Sequence, residues 1–301
     1  MKLFVYCIAF FLVVSHSLYS QSKLNQFLKS SDTLNKPRRN IVVLTEASLA
    51  TLTLVGLNQL WYADYPRSKF KTINDSGEWL QMDKMGHVFS SYQLGRIGAN
   101  TLSWSGVSKK DQLLYGSTLG LGFLTAVEVM DGFSEEWGFS WTDMAANVAG
   151  TGLHVGQELL WQEQRILLKY SFHRTKYAQQ RPNKLGNGLS EEFLKDYNGQ
   201  TYWLSANFNS FLKTNGIPNW LNLAFGYGAE GMLTGDPNDV LFLNQNRTRQ
   251  YYLSLDIDLS RIKTNSNLLK TIFDVFNVIK VPFPAIELNS NGRIKWHYIY
   301  F

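Results

Sequence analysis

The chain has 301 residues, of which 45% are hydrophobic and 18% charged, and carries a formal charge of +5. This composition excludes a disordered polypeptide and leaves room for one large domain or two small ones. The basic excess holds no long Lys/Arg run, only pairs such as Arg38-Arg39 and Lys109-Lys110, which argues against nucleic acid and favours anionic lipid or an acidic envelope surface.

Residues 1–20 read as a secretory leader. Lys2 supplies the positive start, Leu3 to Val14 the apolar run, and Ser15 to Ser20 a small, polar region, with Ser20-Gln21 the expected scissile bond. An uncleaved anchor helix is the alternative. The single cysteine, Cys7, lies inside this leader, so the mature chain is expected to carry no disulfide and no cysteine-ligated metal. Residues 21–40 are polar and read as an exposed lead-in.

Four helices are predicted next, over residues 41–162. The first runs from Ile41 to Tyr62 and ends before Pro66. Asp75-Ser76-Gly77 marks a turn. The second helix spans about Met82 to Trp104, the third about Lys109 to Asp131, and the fourth about Trp141 to Trp161 with Ser140 as N-cap. Small residues recur four apart at Gly95/Ala99, Gly116/Gly120, Ala146/Gly150 and Gly152/Gly156, a spacing that lets helix backbones approach closely. Each apolar run is interrupted by an ionisable group: Glu46, His87, Glu128 or His154. Two readings follow, a membrane-inserted bundle with a polar interior or a soluble bundle with a buried polar network.

After Trp161 the hydrophobic period changes to two. Strands are expected at Ile166–His173, Tyr202–Asn209, Leu221–Glu230, Tyr251–Ser260, Val281–Leu288 and Arg293–Phe301, with a short amphipathic helix over Leu268–Ile279. The predicted fold is α+β: an N-terminal four-helix bundle with a polar interior, then an antiparallel β-sheet or partial barrel over residues 163–301. An open sheet with its apolar face on the bundle or on lipid comes first, because single-chain barrels begin at about eight strands. The polar loop from Lys176 to Gln200 reads as a surface cover.

The candidate site residues lie in the helices. Asp83 and His87 are four apart and share a face; Glu128 and Asp131 are three apart and share another. On the fourth helix Asp143, Asn147, Thr151, His154 and Glu158 fall within about 80° of arc. If these faces meet, His87, Glu128, Asp131 and Asp143 form a carboxylate–imidazole site, supported by Asp83, Lys84, Asn147 and His154. Such a site could perform general acid–base chemistry or hold a divalent cation. Taken singly, each group has a plainer reading: Asp143 as part of a capping box, Lys84 as a solvated lysine, the others as satisfied core polar groups. The joint pattern says more, since burying several acids and a histidine costs several kcal/mol. No nucleophile elbow, phosphate loop or paired-His metal motif occurs.

The order Asp-Lys-x-x-His, an acid late in the next helix, then Asp-x-x-x-Asn-x-x-Gly resembles the YfiM-like bacterial envelope family, a domain of unknown function predicted to be periplasmic. The resemblance is carried by Asp83, Lys84, His87, Glu128, Asp131, Gly132, Trp137, Gly138, Ser140, Asp143, Asn147 and Gly150, and covers about residues 40–162. Lys195 to Trp203 is similar to a longer form of that family, in which a strand-rich half follows the helices. A looser similarity runs to VanZ-like membrane proteins. The resemblance implies an envelope location and no reaction; the leader and the aromatic strands add the expectation of an exported protein in the outer membrane or attached to a membrane in the periplasm. The chain departs from the family's lipoproteins in having no cysteine placed for lipidation. The expected function is a structural or accessory, membrane-associated envelope protein with lipid or envelope components as partners. The alternative is an envelope hydrolase or transferase acting on a lipid-linked or cell-wall substrate.

Overall fold

The computed structural model describes residues 23–300, apart from 64, 215 and 244. The expected leader, its scissile bond and Cys7 lie outside the described residues, as does Phe301.

Four long helical segments form, but they do not make a four-helix bundle. Helix α1 (Lys36–Leu57), capped by the Asn35 side chain, buries only Val42 and continues into a wide turn that ends at Tyr62. Its tie to the rest of the protein is sparse; the Thr101 hydroxyl donates to Glu46 at 2.6 Å. The packed group is α2 (Met82–Trp104), α3 (Leu119–Gly132) and α4 (Trp141–Trp161). The expected third helix is broken. Residues Gln112–Gly116 form a wide turn before α3 begins. Glycines set the crossings. A Cβ on Gly120 would stand 2.3 Å from the Ser91 carbonyl oxygen, and one on Gly150 would stand 2.1 Å from that of Val88. Gly152 and Gly156 face open space, so their spacing has no packing role here.

Two short strands, β1 (Thr72–Ile73) and β2 (Phe139–Ser140), pair in parallel and pin the loop before α2 to the start of α4. Trp79, Leu80 and Gln81, all with positive φ, then turn the chain into α2. The Leu80 carbonyl accepts from Tyr227 and, at 3.0 Å, from Arg249, which anchors this unfavourable backbone from outside.

The second half is a six-stranded antiparallel meander: β3 (Ile166–Phe172), β4 (Gln200–Asn207), β5 (Leu221–Glu230), β6 (Thr248–Ile257), β7 (Phe283–Asn289) and β8 (Ile294–Tyr300). The long connection from β3 to β4 carries helix α5 (Leu189–Lys195). The sheet is open: β3 and β8 do not pair, so the strands do not close a barrel among themselves. The free edge of β3 is covered instead by the segment after helix α6 (Asn267–Phe276). The Tyr170 N–H donates to Val278 O at 2.9 Å and Lys280 N–H to Tyr170 O at 3.0 Å. Helix α6 is tied to α2 by Arg96–Asp274 at 2.9 Å.

The alternation holds, and the two faces are covered unequally. The buried face is the polar one. Lys169 and Asp256 pair at 2.8 Å with fully buried side chains, Ser205 donates to Asp256, and the Trp203 indole donates to Ser171. On the other face, Tyr170 and Tyr202 pack with Met82, Met85 and Phe89 of α2, making the core between helices and sheet. Beyond that contact the same apolar face is bare. Phe225 is 51% exposed and Trp296 54%, and Leu204, Tyr251, Leu253, Ile286 and Leu288 are exposed beside them.

Candidate functional site

Lys84 is the hub of the helical half. Its Nζ lies 2.5 Å from Asp75 Oδ2, 2.9 Å from Asp83 Oδ2 and 2.7 Å from Asp143 Oδ1. The solvated lysine expected at this position is therefore an ammonium bound by three carboxylates. The chain places it by two local devices. Lys84 follows the left-handed turn at the start of α2, and the β1–β2 pair brings Asp75 to the N-terminus of α4.

Ser140 caps α4 as expected, accepting from the Asp143 N–H at 3.1 Å. The reciprocal half of the capping box is absent. The Ser140 N–H donates to Glu128 Oε2 at 3.0 Å, which leaves the Asp143 carboxylate free for Lys84. Asp75 Oδ1 accepts from the hydroxyls of Ser140 (2.6 Å) and Thr142 (2.8 Å).

His87 stands one turn further along α2. Its Nδ1 lies 3.0 Å from Asn147 Oδ1, an acceptor, so Nδ1 carries the proton. Its Nε2 then faces Glu128 at 3.7 Å, Asp143 at 3.8 Å and Asp83 at 4.0 Å. These are ion-pair distances, longer than hydrogen bonds. Asp83 Oδ1 accepts from the Tyr197 hydroxyl at 2.8 Å.

The structure thus brings Asp83, Lys84, His87, Glu128, Asp143 and Asn147 together. It does not bring in the other two candidates. Asp131 turns its carboxylate to the Tyr62 hydroxyl at 2.6 Å. His154 is buried two turns away against Tyr92, with its Nδ1 unbonded, and burial lowers it to about 4, so it is neutral. The rest of the α4 stripe also divides: Thr151 bonds Ser91, and Glu158 pairs with Lys109. Asp75, Tyr62 and Tyr197 are the residues that sequence reasoning missed. Asp75 stood in a turn signal and Tyr197 in a covering loop, and nothing in local spacing ties either to α2.

The electrostatics divide the acids in two. Burial works to raise Asp75, but donors from Lys84, Ser140 and Thr142 outweigh it and hold the carboxyl at about 2. Burial also opposes ionisation of Asp83, and His87, Lys84 and Tyr197 together keep it below the usual range. Glu128 is pushed up by burial, against the Ser140 N–H, to about 7. Asp143 is pushed up by burial and by the charge of Asp83, also to about 7. Burial disfavours the His87 cation, yet Asp83, Asp143 and Glu128 more than compensate, so His87 titrates above its ordinary value. Asp75 and Asp83 are thus held as anions around Lys84, while Glu128, Asp143 and His87 form one group that shares protons.

Asp83, His87 and Asp143 present ligand atoms within 4.8 Å of one another, a donor set suited to a hard or borderline divalent cation. The Lys84 ammonium already sits on both carboxylates of that set. A metal here would compete with Lys84 for its charge partners.

A cavity of about 380 Å³ opens beside the cluster, between α2, β3, β4 and α5. Asp83 and His87 form its polar end, and Tyr170, Tyr197 and Tyr202 form its walls. Gly86 keeps it open; a Cβ there would stand 3.0 Å from the Tyr202 hydroxyl.

Residues 73–157 match the model of a family described as a predicted periplasmic lipoprotein (DUF2279). The matched region runs from β1 into α4 and contains every helix-borne residue of the cluster. It supports an exported, envelope-associated protein of an uncharacterised family. No curated protein and no solved structure matches the chain.

Proposed function

We propose that this is an accessory or structural protein of the cell envelope that sits on a membrane through the outer face of its sheet. One observation carries the reading. The sheet buries its polar face, with the Lys169–Asp256 pair inside, and turns its apolar face outward from β4 to β8. In water that arrangement exposes apolar surface and buries charge, both unfavourable. Against hydrocarbon the apolar face is the right one to show, as in strands that face lipid. Helix α1 supports the same reading. It is long and apolar enough to cross a bilayer and is almost wholly uncovered. The other segment of that kind, 109–132, is broken at Gln112–Gly116 and buries Glu128 among the helices, so we read it as part of the packed group.

The test is flotation with phospholipid vesicles. The wild-type chain is expected to float, and Phe225→Asp combined with Leu253→Asp to stay behind with unchanged circular dichroism. Flotation of the double variant at wild-type level would refute the sheet face as the contact.

A second reading, general acid–base chemistry at His87, is favoured by the cavity that ends on Asp83 and His87. Asp143→Asn keeps the size of the side chain and removes its shared proton. This variant is expected to fold with near wild-type stability and to fail in restoring the envelope defect of a deletion strain. Lowered stability with a proportionate loss of rescue would mark the cluster as scaffolding, and full rescue would refute the reading.

A further inference from the structure

The cavity at Asp83 and His87 has a chemistry of its own. Its walls form one continuous aromatic surface: Phe89 lies 5.6 Å from both Tyr170 and Tyr202, and Tyr170 lies 5.1 Å from Phe193. Its exposed liners are apolar, with Phe193 41%, Ile279 41% and Leu194 61% exposed. The mouth is therefore greasy and the far end charged. Among the acids of the cluster, Asp83 is the one that reaches the space. Its side chain is 24% exposed, against 9% for Asp75, 6% for Asp143 and 2% for Glu128. Charge counts the same way. Asp75, Asp83, Glu128 and Asp143 outnumber the bases Lys84 and His87, and Lys84 is shared among three of those carboxylates. A phosphate entering here would meet a like charge in the Asp83 carboxylate, the most exposed acid of the cluster. An ammonium meets a carboxylate and aromatic faces, both attractive.

We propose that this cavity binds a single-chain amphiphile with an amine head, its ammonium on Asp83 and its chain leaving over Phe193, Leu194 and Ile279. The size fits one chain. At about 380 Å³ the space lies at the lower end of small-molecule sites, which run from roughly 300 to 1,000 Å³. The proposal rests on the membrane reading in one respect, that the chain enters from lipid. A phosphate-headed amphiphile fits less well, because it would bring a second anion against Asp83.

The experiment is titration calorimetry on the full chain in uncharged maltoside micelles at neutral pH, with octylamine, octyl phosphate and octanol, corrected against empty micelles. Octylamine is expected to saturate and to bind at least about tenfold tighter than octyl phosphate, with octanol between them. Asp83→Asn is expected to erase the preference for the amine. Leu194→Asp, at an exposed rim position that the ion cluster does not need, is expected to weaken octylamine and octanol alike; it keeps the proposal testable if Asp83→Asn fails to fold. Equal or tighter binding of octyl phosphate, an unchanged amine preference in Asp83→Asn, or no saturable binding of any probe would each overturn the proposal. Vesicle flotation of the same preparation separates the two readings. Flotation without amine binding removes the ligand alone, and amine binding without flotation removes the membrane contact alone.

Discussion

Lys84→Met is expected to destabilise the protein by ~3–5 kcal/mol, the range for a buried ion cluster that loses one partner. Lys84 is the common counter-ion of Asp75, Asp83 and Asp143, at 2.5, 2.9 and 2.7 Å. Methionine keeps most of the volume and removes the charge, leaving three carboxylates facing one another with His87 as the remaining cation. For a chain of this size the loss corresponds to a fall in melting temperature on the order of 10 °C. Two further measurements identify the cause. Adding Asp143→Asn to Lys84→Met should recover part of the loss, since one of the opposed charges is gone. Millimolar Mn²⁺ or Ca²⁺ should raise the melting temperature of Lys84→Met and leave that of the wild type unmoved, because only the variant frees the carboxylates of Asp83 and Asp143. Lys84→Met melting within a degree or two of the wild type would show that the cluster does not hold the helices.

The second large effect is in pH. Glu128 and Asp143 are held at about 7, above the ordinary carboxylate range near 4. The folded state therefore binds more protons than the unfolded state between those values, and stability falls as pH rises through that window. His87, also raised, acts in the same direction: its contribution is complete below the unfolded histidine value and is lost as pH rises through the folded one. Asp75, held at about 2, acts oppositely; its contribution is present above the unfolded value and disappears only as pH falls through 2. Asp83, also lowered, follows Asp75. Buried His154, lowered to about 4, costs stability as pH falls below the ordinary histidine value, and Asp131, raised by burial to about 6, offsets it; maximum stability is thus expected at mildly acidic pH, between about 4 and 6. By pH 8 the loss should reach a few kcal/mol, since each tenfold change in proton affinity is worth about 1.4 kcal/mol. Glu128→Gln keeps an oxygen for the Ser140 N–H and removes one titrating group. It should flatten the decline and be more stable than the wild type at pH 8. Chemical denaturation from pH 4.5 to 8.5 measures both curves. A wild-type stability that is flat or rising from pH 5 to 8 would mean that these acids do not titrate as a buried group.

Helices α2 and α4 were legible nearly to the residue, because their signals are local. Ser140 caps, Trp104 and Trp161 close, and nothing between them breaks the period. The helical candidates were legible for the same reason. Positions four apart share a face whatever that face meets, so Asp83 with His87 and Asp143 with Asn147 could be paired in advance. The extension of this logic to Asp131 and His154 did not hold. Asp131 lies at the end of α3, where Tyr62 from the distant turn after α1 claims it. His154 lies two turns past Asn147, away from Asp83 and beside Tyr92.

By itself, then, the sequence determined the elements: three of the long helices with their polar faces, six alternating strands, and an α+β order along the chain. Only the tertiary structure decided which groups meet. Asp75 joins Lys84 because the β1–β2 pair folds its loop onto α4, and Tyr197 joins Asp83 because the segment after α5 closes over α2. The Ser140–Asp75 bond spans 65 positions and the Tyr197–Asp83 bond 114, and no local period encodes contacts of that reach. The structure also decided the orientation of the sheet. Alternation states that two faces differ and is silent on which one is covered. In water the apolar face would turn inward. Here the Lys169–Asp256 pair, neutralised and hydrogen-bonded inside, lets the polar face be the buried one and leaves the apolar face outward.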